Sequence, residues 1–415
     1  MLLTKRTPTL IDCTGYMPMK ERVLIKSVHY RRILNSHGEF TNEFVIFLDE
    51  GSVGRGASPK GETISIYEDQ KINISPQKII ETINRDGLLS KPINQQDLDT
   101  YLDERIGVFG RNNSYAISLA FYDANELFMQ TAKVENARIE NRQIPRLCIN
   151  ILNGGNHAYT NPVQSEFSEY LLVAHTNDLV SVLRDHDLIQ ARVRDELSTR
   201  DKIYVNKNMV SKSAHGDNRD WLDLLTIILK ELGLEQSYGL MIDASAGDLR
   251  TGSNYKFGIT NNLTLTSEQM CDYWLKLISD YNLTILEDPF HETDYDYWQK
   301  LTADQVKCKI VGDNLYSGDS VRIANGISGR YTHGIILKPN QAGTVSNTIK
   351  AINLVKENNH TLIMSHRSIS TESTFLAHIS NKYGAEYIKN GPILTDYSSI
   401  IRLNELIRLT GLGYE

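Results

Sequence analysis

Ionisable residues stand where six short apolar runs stop: Asp243 in LMIDAS, Glu287 in LTILEDPF, Asp313 in CKIVGDN, Lys338 in IILKPN, His366-Arg367 in LIMSHRS and Lys389 in EYIKNG. From Glu287 onward the steps are 26, 25, 28 and 23 residues, each about one strand–helix unit. A single Asp or Lys after a strand is ordinarily a cap or a solvated loop charge. Charges recurring at one phase of consecutive units converge instead on one small volume. Three carboxylates gathered there repel unless something neutralises them. A hard divalent cation does so, and carboxylate oxygens suit Mg²⁺. A lysine held among other cations and a metal gives up its proton more readily, which makes it a candidate base. Metal on one side and base on the other is the layout for removing a proton α to a carboxylate, with the metal holding the enediolate charge.

The elements that must position these groups are legible as alternating runs. After about residue 145, short apolar stretches (RLCINILNGG, SEYLLVAH, then those above) alternate with helical ones such as SEQMCDYWLKLISDY, TVSNTIKAINLVKENN and TESTFLAHISNKYG. The last two open on Thr caps, and ISNKYG ends on Gly384, a residue suited to terminating a helix. Strand then helix, with short connections, argues a parallel sheet. So many units without a Gly-rich nucleotide loop favour a closed β/α barrel over an open sheet. The first part reads as α+β: VLIKSVHYRRIL and EFVIFLDEG as strands, GRGASPKGETISIYED as a mobile loop, and helices from about 76 to 134. The expected organisation is an α/β fold with an N-terminal α+β capping domain over 1–140 and a TIM-like β/α barrel over 141–415.

Composition narrows the class further. The chain has 415 residues, a net charge of −7 and a pI near 5.9, so there is no basic footprint for nucleic acid and no polybasic membrane patch. No apolar run reaches the ~18 residues of a membrane span, and the N-terminus does not read as a signal peptide. Cys13, Cys148, Cys271 and Cys308 are scattered, as expected of reduced thiols in a cytoplasmic protein. The 11 histidines form no H-E-x-x-H and no tight Cys/His cluster, which argues against zinc.

These motifs resemble the enolase family. LTILEDPF, IVGDN, LKPNQAGT, SHRS and IKNG follow the family's barrel motifs in order and at near-constant spacing. LNGGNHA with SEF is similar to its NGGSHA…QEF segment, RRILNSHGEFTNEF to its ILDSRGNPTVEV, and GRGASPKGETISIYED to its SGASTGIYEA loop with extra residues. The likeness runs from about 28 to 395. It implies an enolase-like fold in which Asp243, Glu287 and Asp313 bind the first Mg²⁺ and Lys338 takes the proton from carbon 2. Lys389 would hold the substrate carboxylate, Arg367 and Ser368 would bind the phosphate, and His366 and Asn208 would be further substrate contacts. Ser58 would help a second metal when the loop closes. Glu166 and His157 correspond to the family's active-site Glu and His. A homodimer and a small phosphorylated or phosphonate carboxylate substrate are also implied.

Two departures qualify the likeness. Asn314 replaces the second Asp of the family's D-D pair, removing a charge near Lys338. Asn208 falls where the family's GDEGG segment carries its general acid; Asn cannot donate that proton, and such an acid is typically worth about 10²–10⁴ in rate. The metal and base half is intact while the leaving-group half is rebuilt. The expectation is an Mg²⁺-dependent enzyme that stabilises an enolate of a phosphoenolpyruvate or 2-phosphoglycerate type of substrate, diverged to a phosphonate-pathway reaction such as carboxyphosphonoenolpyruvate synthesis. The alternatives are ordinary dehydration of 2-phosphoglycerate and a non-catalytic binding protein on the same fold.

Overall fold

The computed structural model describes residues 22–61, 65–68, 74–133 (side chains to 125), 144–158, 160–305 and 307–410. The domain boundary expected at 140/141, Cys13 and the N-terminal segment read for a leader lie outside these residues.

The cap begins with a three-stranded antiparallel sheet: β1 (Ile25–Leu34), β2 (Phe40–Leu48) and β3 (Val53–Ala57), in that order. β3 falls inside the stretch expected to be a loop. Its glycines read as loop residues because they serve close approach: a Cβ on Gly56 would collide with the Ala116 carbonyl oxygen of the helix Arg111–Lys133. Phe44, Ile46 and Leu48 of β2 pack with Ile117, Phe121 and the helices Pro76–Arg85 and Gln95–Asp103 into a separate apolar core.

The second part of the chain opens with β4 (Arg146–Asn153) and β5 (Glu169–Ala174), followed by a hairpin of β6 (Lys202–Val205) and β7 (Asn208–Ser211). After β8 (Tyr238–Asp243) comes a small meander of β9 (Arg250–Thr251), β10 (Asn254–Lys256) and β11 (Thr264–Thr266). The remaining strands are β12 (Ile285–Glu287), β13 (Lys309–Gly312), β14 (Gly334–Leu337), β15 (Thr361–Ser365) and β16 (Tyr387–Asn390). Eight of these close a barrel in the order β12-β13-β14-β15-β16-β4-β5-β8. The sequence pattern predicts a wholly parallel sheet, but β5 runs antiparallel to both β4 and β8. Among the described residues no helix joins β4 to β5, so the chain turns back at the rim it has just reached.

Side chains alternate along a strand, so residues two apart share a face. The barrel interior is plugged by Cys148, Leu171, Val173, Met241, Ile285, Val311, Ile336, Ile363 and Tyr387. Two residues past Met241, Ile285, Val311, Ile336 and Tyr387 stand Asp243, Glu287, Asp313, Lys338 and Lys389. An apolar plug therefore ends in a charged layer at the C-terminal rim. Trp221, Trp274 and Trp298 pack between the strands and the outer helices. Thr344 caps the helix Val345–Glu357 by accepting from Asn347 N–H. Thr371, on which TESTFLAH opens, stands four residues before the helix Phe375–Lys382 and is not its cap; the N-cap is Thr374, with no side-chain bond, and Ser373 accepts from Phe375 N–H. Cys148, Cys271 and Cys308 are buried free thiols. Among the described residues no helix is long and apolar enough to cross a membrane.

Candidate active site

Register brings the rim charges together. Glu287 pairs with Asp243 on one side and with Val311, two residues before Asp313, on the other. Asp243 also pairs with Glu169, the first residue of β5. The Lys389 ammonium sits among three of these carboxylates, 2.9 Å from Asp243 Oδ2, 2.7 Å from Glu287 Oε2 and 2.7 Å from Glu169 Oε2. Lys338 donates to Asp313 Oδ2. Asp243 Oδ1 accepts from the backbone N–H and Oγ of Ser245. Asp288 turns its carboxylate to the backbone, accepting from Asp313 N–H at 3.0 Å and Asn314 N–H at 2.8 Å.

Burial sets the electrostatics. It pushes Glu287 well above the ordinary carboxylate range, and neighbouring Asp243 adds to the push. Burial acts the same way on Asp243, but the Lys389 ammonium outweighs it and holds the group at about 2. Burial would lower Lys389, yet Asp243, Glu169 and Glu287 raise it well above its usual value. Neutralisation is nonetheless incomplete. Among the described residues five carboxyl groups, those of Glu169, Asp243, Glu287, Asp288 and Asp313, share this rim with the two ammonium groups of Lys338 and Lys389, and burial, with neighbouring Asp313 and Asp243, pushes Asp288 well above the ordinary range as it does Glu287. Like charges in a dry site are costly unless compensated.

The residues fit a hard cation. The donors are all oxygen, and Glu287 Oε1 and Asp313 Oδ1 are buried with no hydrogen-bond partner. Among the described residues, no three carboxylate, histidine or cysteine groups form a ready metal cage; the Lys389 ammonium takes the point between Asp243 and Glu287, and it is the side chain that would give way.

The other expected residues divide. His157, half-buried beside this cluster, is lowered by burial against the pull of Glu169 and Asp243. His366 donates Nδ1–H to the Lys389 carbonyl at 3.0 Å, and burial, with Arg402 nearby, lowers it well below its usual value, so its Nε2 is left as an acceptor. Arg367 is buried and donates to Glu68 Oε2 at 2.9 Å; Ser368 follows it, half-buried. Ser58 lies 3.0 Å from Asn112 Oδ1, which also accepts from Asn340 beside the Lys338 turn; it touches the rim from the cap side and not the carboxylates. Asn208 is the first residue of β7, paired with Val205 across the hairpin. Among the described residues its side chain makes no hydrogen bond to the cluster.

Glu166 is bonded elsewhere. Its Oε1 accepts from Ile259 N–H at 2.6 Å and Thr260 N–H at 2.9 Å, and its Oε2 from Thr260 Oγ1 at 2.7 Å. It anchors the 259–260 turn, and Glu169 is the glutamate that reaches the rim. The signal was present: SEYLL places a glutamate in phase with inward-facing Leu171 and Val173. Asp288 and Glu68 were also missed. The former acts through backbone donors and the latter reaches in from the cap, so neither belongs to the ladder of strand ends.

The model of the enolase C-terminal TIM barrel domain matches residues 141–412. The chain belongs to the enolase family. It is 27% identical to the enolase of Picrophilus torridus over 407 residues, 93% of this chain and 98% of that one. It is 28% identical to the enolase of Archaeoglobus fulgidus over 412 residues, covering 94% and 98%. Against the enolase of Ehrlichia chaffeensis it is 26% identical over 424 residues, covering 94% and 99%. The likeness to enolases thus spans cap and barrel alike, at an identity that leaves room for altered chemistry.

Proposed function

We propose that this enolase-family enzyme uses Mg²⁺ to stabilise the enolate of a phosphoenolpyruvate- or 2-phosphoglycerate-type substrate and has diverged to a phosphonate-pathway reaction such as carboxyphosphonoenolpyruvate synthesis. Asp243, Glu287 and Asp313 would hold the ion, which when bound would supply positive charge to the enediolate. Lys338, once relieved of the proton it now directs at Asp313, would take the proton from carbon 2. Lys389 would bind the substrate carboxylate, Arg367 and Ser368 would take the phosphoryl or phosphonyl group, and the acceptor Nε2 of neutral His366 would take a hydroxyl hydrogen of the substrate. Ser58 would serve a second ion. His157 and Glu169, rather than Glu166, would face the reacting carbons.

The observation that carries this reading is the asymmetry of the rim. Five carboxylates, all but Glu169 fully buried, meet two lysines on the metal and base side, while the hairpin expected to supply the proton donor offers Asn208. The remaining expectations belong to the same proposal: a homodimer in the cytoplasm, working on a small molecule, with neither nucleic acid nor membrane as partner.

A second reading, ordinary dehydration of 2-phosphoglycerate, is favoured by the presence of Glu169 and neutral His157 at the rim. Absorbance of phosphoenolpyruvate formed from 2-phosphoglycerate separates the two. The diverged reading expects Mg²⁺-dependent exchange of the carbon-2 hydrogen with deuterated solvent but little net dehydration. Robust dehydration supports the second reading. Absence of exchange with and without Mg²⁺ removes both and leaves a binding protein.

A further inference from the structure

Arg367 is only 4% exposed, and two stretches of the cap cover it. Lys60 N–H donates to Ile369 O at 2.8 Å and Ile369 N–H to Lys60 O at 3.0 Å, which lays residues 58–61 along the turn that carries the guanidinium. Gly61 rests on it so closely that a Cβ there would collide with Arg367 Nη2. From the second stretch Glu68 reaches in, accepting from Arg367 Nη1 at 2.9 Å and from Gln341 Nε2 at 3.0 Å. Gln341 lies three residues past Lys338, and its carbonyl accepts from Arg111 Nη1 at 3.2 Å. Burial acts to raise the Glu68 carboxyl, but Arg367, Gln341 and Lys338 outweigh it and hold the group below its usual range. It is a carboxylate, and an ion-paired carboxylate has no proton to give to a leaving group.

The geometry points to Glu68 as a resident anion on Arg367, setting the threshold an incoming anion must exceed to bind there. This rests on the reading of Arg367 as the substrate's anion site. A buried guanidinium with no partner is costly, so binding is an exchange of one anion for another. A free carboxylate brings one charge, the same as Glu68, and lacks the advantage of being tethered. A phosphoryl or phosphonyl group brings nearly two charges and three acceptor oxygens. Dianions clear the threshold and monoanions fall below it, so Glu68, supplied by the cap, sets the affinity an anion must reach to occupy the site without altering the order in which anions bind.

Calorimetric titration of the wild-type chain, Glu68→Gln and Arg367→Gln with inorganic phosphate, methylphosphonate and acetate tests this. Removing a competitor strengthens every ligand by the same factor. Glu68→Gln is therefore expected to bind phosphate and methylphosphonate at least about tenfold tighter and to bring acetate into the measurable range. Glu68→Asp keeps the charge but shortens the reach, and is expected to tighten by less; it gives an independent result if the Gln variant does not fold. Unchanged or weaker phosphate binding in both Glu68 variants would mean that Glu68 orients Arg367, and overturns the inference alone, provided that Arg367→Gln loses phosphate. If Arg367→Gln binds phosphate as the wild type does, or if no variant binds it, the anion site itself is misassigned and both readings fall.

Discussion

Lys338 and Lys389 are two ammonium groups in one mouth, but they keep different company. Lys389 is held by three carboxylates that raise it well above its ordinary value, so it stays charged and suits an anion. Among the described residues Lys338 pairs with one carboxylate, that of Asp313, one of the proposed ion ligands. It is the lysine that can be released to act as a base. Lys338→Gln is expected to slow carbon-2 deuterium exchange by about 10²–10⁴ with KM little changed, whereas Lys389→Gln is expected to raise KM. The two glutamates separate in the same way. Glu166→Gln weakens charge-assisted bonds to Ile259 and Thr260, each worth about 1.5–3 kcal/mol, so thermal melting falls. Glu169→Gln leaves melting nearly unchanged and lowers exchange. A result with these effects swapped between 166 and 169 would restore Glu166 to the site.

At the scale of elements, the rim is made by phase. Parallel strands finish at one end of the barrel, so reading the last residue of each run found Asp243, Glu287, Asp313, Lys338, Arg367 and Lys389 from sequence alone. Glu169 escaped because β5 is antiparallel and presents its first residue, not its last, to that rim. β3 escaped because Gly54 and Gly56, needed for contact with a helix backbone, carry the signature of a loop. Asp288 escaped because it acts on backbone N–H groups, for which sequence spacing holds no pattern. Its role is nonetheless strong: it fixes the turn that aims Asp313. Asp288→Ala strands two buried donors at about 1–3 kcal/mol each. It is expected to weaken Mg²⁺ binding by about 10–100-fold, as loss of support behind a metal ligand does. Asp288→Asn, which keeps one acceptor, is expected to fall between. Titration of Mg²⁺ against melting temperature reads both effects, and unaltered Mg²⁺ affinity in the Ala variant would mean that Asp313 needs no such support.

Across the whole molecule, cap and barrel share a buried charge. Asp99, on the cap helix Gln95–Asp103, is fully buried and accepts from Ser346 N–H at 2.8 Å, at the start of the barrel helix that follows the Lys338 turn. Gln95 Nε2 donates to both of its oxygens, and Asp103 holds Asn347 in the next register. The cap therefore holds the helix that follows the turn carrying the proposed base. Burial raises Asp99 to about 6, even though Ser118, Ser346 and Gln95 pull the other way. A carboxyl raised on folding contributes stability that is fully present below its unfolded value, near 4, and is lost as pH climbs through about 6. About 3 kcal/mol is given up across that window. Asp99→Asn removes the titration, and Gln95 can accept the new amide, since its Oε1 is buried without a partner. The wild type is expected to lose stability relative to Asp99→Asn between about pH 4 and 6.5, with the difference flat above that. Chemical denaturation of the two proteins across this range measures it, and the difference cancels contributions from His157, His366 and the other groups they share. A constant difference would mean that Asp99 is solvated and that the cap–barrel contact opens in solution.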